Sequence, residues 1–160
     1  MWLVTGATGH IGNVLVRKLL ERGEKVRALI LPGECRKSIS GLNVEAFEGD
    51  VLDLDSVFES KRGIKGIFHL AGVISIMPGQ NPFVRKVNVE DTKNILYAAK
   101  EKGIGKLVYT SSIHAIQRVE DGVIDETLPY DMDNRKRFKA IPISAMQKQR
   151  VSWVTSRVRY

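Results

Sequence analysis

The stretch Val4 to Gly12, "VTGATGHIG", decides how this chain reads. A short apolar run, "MWLV", leads into it. Ile11, Val14, Leu15, Leu19 and Leu20 leave it near helical spacing, with Gly23 as the stop. Strand, glycine turn and helix in that order open a βαβ unit. In such a unit the first glycine permits the tight turn and the second lets backbone approach a pyrophosphate. The third lets helix and strand pack closely. The helix start then offers free N–H groups and about half a positive charge to phosphates. The alternative is an ordinary glycine-rich turn without a ligand; the βαβ context favours a dinucleotide.

The rest of the chain continues the alternation. "KVRALIL" (25–31) reads as a second strand, ended by Pro32-Gly33, and "NVEAFEGD" (43–50) as a third. "DLDSVFES" (53–60) reads as a short helix opened by acids. "IKGIFHLAG" (64–72) is a fourth strand. "NPFVRKVNVEDTKNILYAAKEKG" (81–103) is a long helix with Val84, Val87, Ile95, Ala98 and Ala99 on one side. "GKLVYTSS" (105–112) is a fifth strand. Strands alternating with helices, each apolar enough for burial on both faces, predict an α/β fold: a doubly wound parallel sheet of Rossmann type.

Composition narrows the class. A chain of 160 residues, 43% hydrophobic and 27% charged, reads as one soluble globular unit. No apolar stretch approaches the ~20 residues of a membrane span. The glycine turn cuts the N-terminal apolar run short, so no signal peptide is expected. The single cysteine, Cys35, leaves no internal disulfide, suits a reducing cytoplasm and reads as incidental. Three scattered histidines offer no metal-site spacing. The net charge of +7 is unevenly placed: residues 134–160 hold eight basic groups and no acid. The chain therefore divides into a near-neutral dinucleotide-binding body, 1–133, and a basic tail, 134–160. Eight cations could neutralise nucleic-acid phosphates, but without a recognised fold or helical stripe that idea rests on charge alone.

The spacing G-x-x-G-x-x-G resembles the extended short-chain dehydrogenase/reductase family, and within it the NAD-dependent epimerase/dehydratases and dihydroflavonol-reductase-like enzymes. Further matches follow in family order: "GDVLD" at Gly49–Asp53, "FHLAG" at Phe68–Gly72, "NVEDTKNIL" at Asn88–Leu96 and "LVYTSS" at Leu107–Ser112. The resemblance implies that Gly6, Gly9, His10, Ile11 and Gly12 line the pyrophosphate, mostly through backbone. It implies that Asp50 accepts the adenine amino group, with Val51 against the ring. Leu70, Ala71 and Gly72 pass beneath the ribose and nicotinamide, Asn88 faces the cofactor and Thr110 lies near the nicotinamide. Ser112 is the implied catalytic serine, bonding the substrate oxygen.

Bland alternatives stand beside several of these roles. Asp50 could cap the helix beginning near Asp53, Asn88 could be a structural amide, and Ser112 an ordinary strand-end hydroxyl. His69 and His114 read as packing residues. Asp91 stands where the family commonly has glycine, and a helix surface would tolerate it. For cofactor choice, the end of the second strand usually carries an acid for NAD or an arginine for NADP. Here Ile30 and Leu31 occupy those positions. Arg36 and Lys37 follow in the loop and tilt the expectation weakly toward NADP.

The family's Tyr-x-x-x-Lys pair, which exchanges a proton with substrate, is missing. Four residues after Tyr97, Tyr109 and Tyr130 stand Glu101, Ile113 and Asn134, and Tyr160 ends the chain. Pro142 obstructs the helix on which the pair belongs. The expectation is a truncated chain lacking its last strands and substrate lobe, with a frameshifted tail after about Phe138; a genuine short homologue is the alternative. An uncovered fifth strand would invite self-association. The implied function is the NAD(P)-binding part of an epimerase/dehydratase or reductase acting on a nucleotide sugar or small carbonyl or alcohol, inactive as this chain. The alternative is a non-catalytic, redox-sensing dinucleotide module.

Overall fold

The computed structural model describes residues 1–73, 82–111 and 127–129. Five strands form one sheet: β1 Trp2–Thr5, β2 Val26–Ile30, β3 Glu45–Glu48, β4 Gly66–His69 and β5 Leu107–Tyr109. Their order is β3-β2-β1-β4-β5, and every pairing is parallel. The order reverses between β1 and β4, which opens a crevice at the carboxyl ends of those two strands. Register lines up those ends: Thr5 lies opposite Leu29 on one side and His69 on the other, and His69 lies opposite Tyr109.

Successive strand residues point to opposite faces, and both faces are covered. On one face Leu3 and Ile67 pack with Val57, Ile95, Ala98 and Ala99 from helices α2 (Leu54–Ser60) and α4 (Asp91–Glu101). On the other, Val4, Ala28 and Ile30 pack with Val16 and Leu19 from α1 (His10–Glu21). Each valine, leucine or isoleucine among them, fully buried, contributes about 1.5–3 kcal/mol. The doubly wound α/β expectation therefore holds over the described residues.

Three local expectations change. β3 is not buried on both faces: its glutamates and Ala46 are exposed, because among the described residues it is an edge strand paired only with β2. On α1 the buried face runs through Gly12, Val16 and Leu19, while Ile11 and Val14 are more than half exposed. Close approach of Gly12 to the Gly6 carbonyl sets that phase. The long helix is not uniform: a short α-helix α3 (Pro82–Arg85) passes through a π-helical segment, Lys86–Glu90, into α4. Its expected apolar side, Val84, Val87, Ile95, Ala98 and Ala99, is buried throughout.

Candidate dinucleotide site

The three glycines of the first turn do different work. Gly6 has φ +67°, a conformation that L side chains rarely adopt. A Cβ there would stand 2.8 Å from the Leu70 carbonyl carbon and the Ala71 nitrogen, so the end of β1 presses directly on the strip after β4. A Cβ on Gly12 would stand 1.9 Å from the Gly6 oxygen, which locks α1 against the turn. Gly9 differs. Its backbone is extended, with φ −70° and ψ 174°, and a Cβ would meet only the Gly6 oxygen, at 3.3 Å.

Gly9 is also the N-cap of α1, and among the described residues no side chain caps that helix. Helix starts favour Ser, Thr, Asp or Asn at this position, since their oxygens satisfy a free N–H. The fold thus demands glycine at 6 and 12 far more strongly than at 9, where a Cβ would need the Gly6 carbonyl to yield slightly. What glycine achieves at 9 is a bare helix start that another molecule can approach. His10 and Ile11, in the first turn, are exposed.

The strip opposite is pinned from below. Thr5 Oγ1 accepts from the Leu70 and Ala71 amides at 3.2 and 3.1 Å and lies 2.7 Å from His69 Nδ1. With its acceptor sites taken by two amides, the hydroxyl donates to Nδ1. The His69 proton is thereby assigned to Nε2, which faces Asp91 Oδ2 at 3.7 Å. Leu70 and Ala71 are half-buried and Gly72 is exposed. Asn88, in the π-helical segment, holds the next peptide: its Oδ1 accepts from the Val73 N–H and its Nδ2 donates to the Val73 carbonyl, both at 2.8 Å.

The residues expected on the adenine side also find places. The cap of α2 is Asp53, whose carboxylate accepts from the Asp55 N–H, so Asp50 is not the capping residue. Asp50 Oδ1 instead accepts from the Leu52 N–H at 2.8 Å. Val51 is buried in the core, and Asn94 Nδ2 donates to the carbonyls of Val51 and Leu52. Thr110 is exposed beyond β5, its N–H donating to the His69 carbonyl. Ser112 and His114, like the boundary at 133/134 and the tail, lie outside the described residues.

Asp91 is a correction. It does not lie on a tolerant helix surface but is completely buried, and Oδ2 has no hydrogen-bond partner among the described residues. Burial raises its carboxyl to about 7 against the hydrogen bonds from Thr92, with Asp50's charge adding to the rise. Burial, and then the nearby Lys61 cation, hold His69 down to about 3. Their contact is therefore a neutral N–H facing an acid, not an ion pair. Lys61 is itself buried, donates to the Ile95 carbonyl at 3.0 Å, and is lowered by burial to about 7.

Sequence reasoning missed Glu34. Leu31, Pro32, Gly33 and Glu34 form a turn closed by the Glu34 N–H to Leu31 carbonyl bond at 3.0 Å, with Gly33 at φ +78°. Proline second and a positive-φ glycine third are the marks of a type II turn. It folds the Glu34 carboxylate back to accept from the Leu31 N–H at 3.1 Å and from the Thr8 hydroxyl of the glycine turn. The Pro32-Gly33 pair was the available signal. Arg36 points elsewhere, pairing with Glu48 on β3.

Among the described residues no group of His, Cys, Asp and Glu could hold a metal ion, and no helix is long and apolar enough to cross a membrane. Residues 3–145 match the model of the 3-beta hydroxysteroid dehydrogenase/isomerase family. The chain is 40% identical over 124 residues to sterol demethylase protein B of Methylococcus capsulatus, covering 78% of this chain and 38% of that protein. It is 37% identical over 144 residues to a 3 beta-hydroxysteroid dehydrogenase/Delta 5-->4-isomerase of Mycobacterium tuberculosis, covering 80% of this chain and 36% of that one. Among solved structures, UDP-glucose 4-epimerase of Thermus thermophilus in complex with NAD superposes with a TM-score of 0.77 at 25% identity, over 98% of this chain and 51% of that one. The chain thus spans well under half the length of these two relatives.

Proposed function

The chain belongs to the 3-beta hydroxysteroid dehydrogenase/isomerase family, and on that premise we propose that it forms the nicotinamide-dinucleotide-binding part of an oxidoreductase. One observation carries the reading: Gly9 leaves the start of α1 uncapped although the backbone there would accept a side chain. The NAD-bound epimerase of the same fold supports it.

In this reading the free N–H groups at His10 and Ile11, beside Gly6, Gly9 and Gly12, hold the pyrophosphate through backbone and helix dipole, while the Gly9 N–H donates to the Gly6 carbonyl within the turn. Asp50, already accepting from Leu52, keeps acceptor capacity for the adenine amino group, with Val51 beneath it. Leu70, Ala71 and Gly72 floor the ribose and nicotinamide. Asn88 acts by holding the strip's continuation at Val73, and Thr110 borders the same end of the sheet. The bound nicotinamide supplies the hydride acceptor or donor. Ser112 orients the oxygen of an alcohol or ketone, carried by a sterol or nucleotide sugar as the relatives' names suggest.

Within these 160 residues no tyrosine is followed four places on by lysine, so we expect binding without appreciable turnover. Calorimetric titration with NAD⁺ and NADP⁺ tests the proposal, using the chain and Gly9→Asp. The substitution places a carboxylate where the pyrophosphate must lie, so binding should be lost while the melting temperature changes little. Undiminished affinity in a folded Gly9→Asp variant overturns the site.

A further inference from the structure

We propose that Glu34 chooses the cofactor, making this chain selective for a dinucleotide with a free 2′-hydroxyl over one with a 2′-phosphate. The inference rests on the reading that the dinucleotide lies across the Gly6–Gly12 turn, and it opposes the tilt toward NADP drawn from Arg36 and Lys37.

Three observations carry it. Glu34 stands 22 residues beyond Gly12, near the interval of about 20 at which doubly wound folds place the group that meets the adenosine ribose. The end of β2 itself offers no such group, since Ile30 is buried and Leu31 has no polar side chain. The type II turn through Pro32 and Gly33 supplies it from further along, folding Glu34 back toward β2.

The carboxylate is also held. Leu31 N–H donates to Oε2 and Thr8 Oγ1 to Oε1, so the group bridges the end of β2 and the glycine turn. A carboxylate has about four acceptor sites, so each oxygen keeps one for a ribose hydroxyl. The same fixed negative charge repels a phosphate placed there. Of the two cations that could reverse this preference, Arg36 is paired with Glu48 on β3, the strand beside β2. The loop is tied down further, since Ser38 Oγ donates to the Thr8 carbonyl at 2.8 Å and Arg17 to the Ser38 carbonyl at 3.0 Å.

The test measures dissociation constants for NAD⁺ and NADP⁺ by calorimetry on the whole chain, Glu34→Gln and Arg36→Ala, with thermal melts to confirm folding. The parent chain should bind NAD⁺ at least about tenfold more tightly than NADP⁺, the scale of one close charge repulsion. Glu34→Gln should bring the two within about threefold, mainly by admitting NADP⁺, as loss of that repulsion requires. Arg36→Ala should leave the ratio unchanged. Equal affinities in the parent chain, an unchanged ratio in Glu34→Gln, or loss of NADP⁺ binding in Arg36→Ala would each overturn the proposal. Failure of both dinucleotides to bind the parent chain would overturn the site reading itself, and Glu34's role with it.

Discussion

His69 Nε2 faces the Asp91 carboxyl at 3.7 Å in the interior of the protein, with the two side chains 1% and 0% exposed. Above them, His69 Nδ1 and Thr5 pin the strip that floors the crevice. An acid buried without a full set of partners makes that arrangement sensitive to pH. Asp91's carboxyl, ordinarily near 3.8, is raised to about 7, so the fold favours its protonated form. That contribution is fully present below pH 4. It falls as the unfolded chain ionises, and it is gone once pH reaches about 7.

The first prediction follows from that sign. Asp91→Asn should flatten the loss of unfolding free energy between pH 4.5 and 8, by on the order of 2–3 kcal/mol. Asn keeps an acceptor for the Thr92 N–H, so the variant should fold. Urea titrations across that range measure the slope, and an identical slope in parent and variant would refute the assignment of a raised carboxyl.

Gly9 and Gly12 should respond oppositely to alanine. The Gly12 methyl would collide with the Gly6 carbonyl, so Gly12→Ala should lower stability by about 3 kcal/mol or more, at the upper end of overpacking costs. Gly9→Ala has an ordinary backbone conformation and needs the Gly6 carbonyl to yield only slightly, so it should shift stability by less than about 1 kcal/mol while weakening dinucleotide binding. Equal losses of stability would mean that Gly9 serves the fold alone.

Asp50 and Asp53 separate ligand from cap. Asp53→Ala removes the oxygen that accepts from Asp55 and should cost about 1 kcal/mol of stability with dinucleotide affinity unchanged. Asp50→Ala should weaken dinucleotide binding by about 1–2 kcal/mol, the range for a hydrogen bond to a charged group. If its only effect is on stability, the Leu52 contact is its whole role.

For Asn88 the question is whether the amide serves the loop or the cofactor. Asn88→Ala strands both polar groups of Val73 and should cost about 1–3 kcal/mol of stability. Unchanged stability with weakened affinity would show that the side chain touches the dinucleotide directly.

Much of the fold was legible because its signals are local. Three glycines between a strand pattern and a helix pattern, then regular alternation, specify a doubly wound sheet whatever the rest of the chain does, since turn sterics and periodicity act over a few residues. The apolar side of the long helix was likewise readable, as Val84, Val87, Ile95, Ala98 and Ala99 recur at helical spacing and are all buried.

What only the tertiary structure decided are relationships between distant segments. Ile11 and Val14 fit a helical stripe, yet Gly12's contact with the Gly6 carbonyl turns α1 so that both face outward. Asp91 looks like a surface acid until α4 is laid against β4, because burial belongs to the neighbours that cover a residue and not to the residue itself. Glu34 reads as a loop acid because no pattern in one strand reports where a following turn will return a side chain. The sequence by itself determined the strand–turn–helix frame and the place of its glycine turn. Packing across the sheet determined which side chains that frame buries and which carboxylates it brings to the crevice, because those outcomes depend on contacts between residues tens of positions apart.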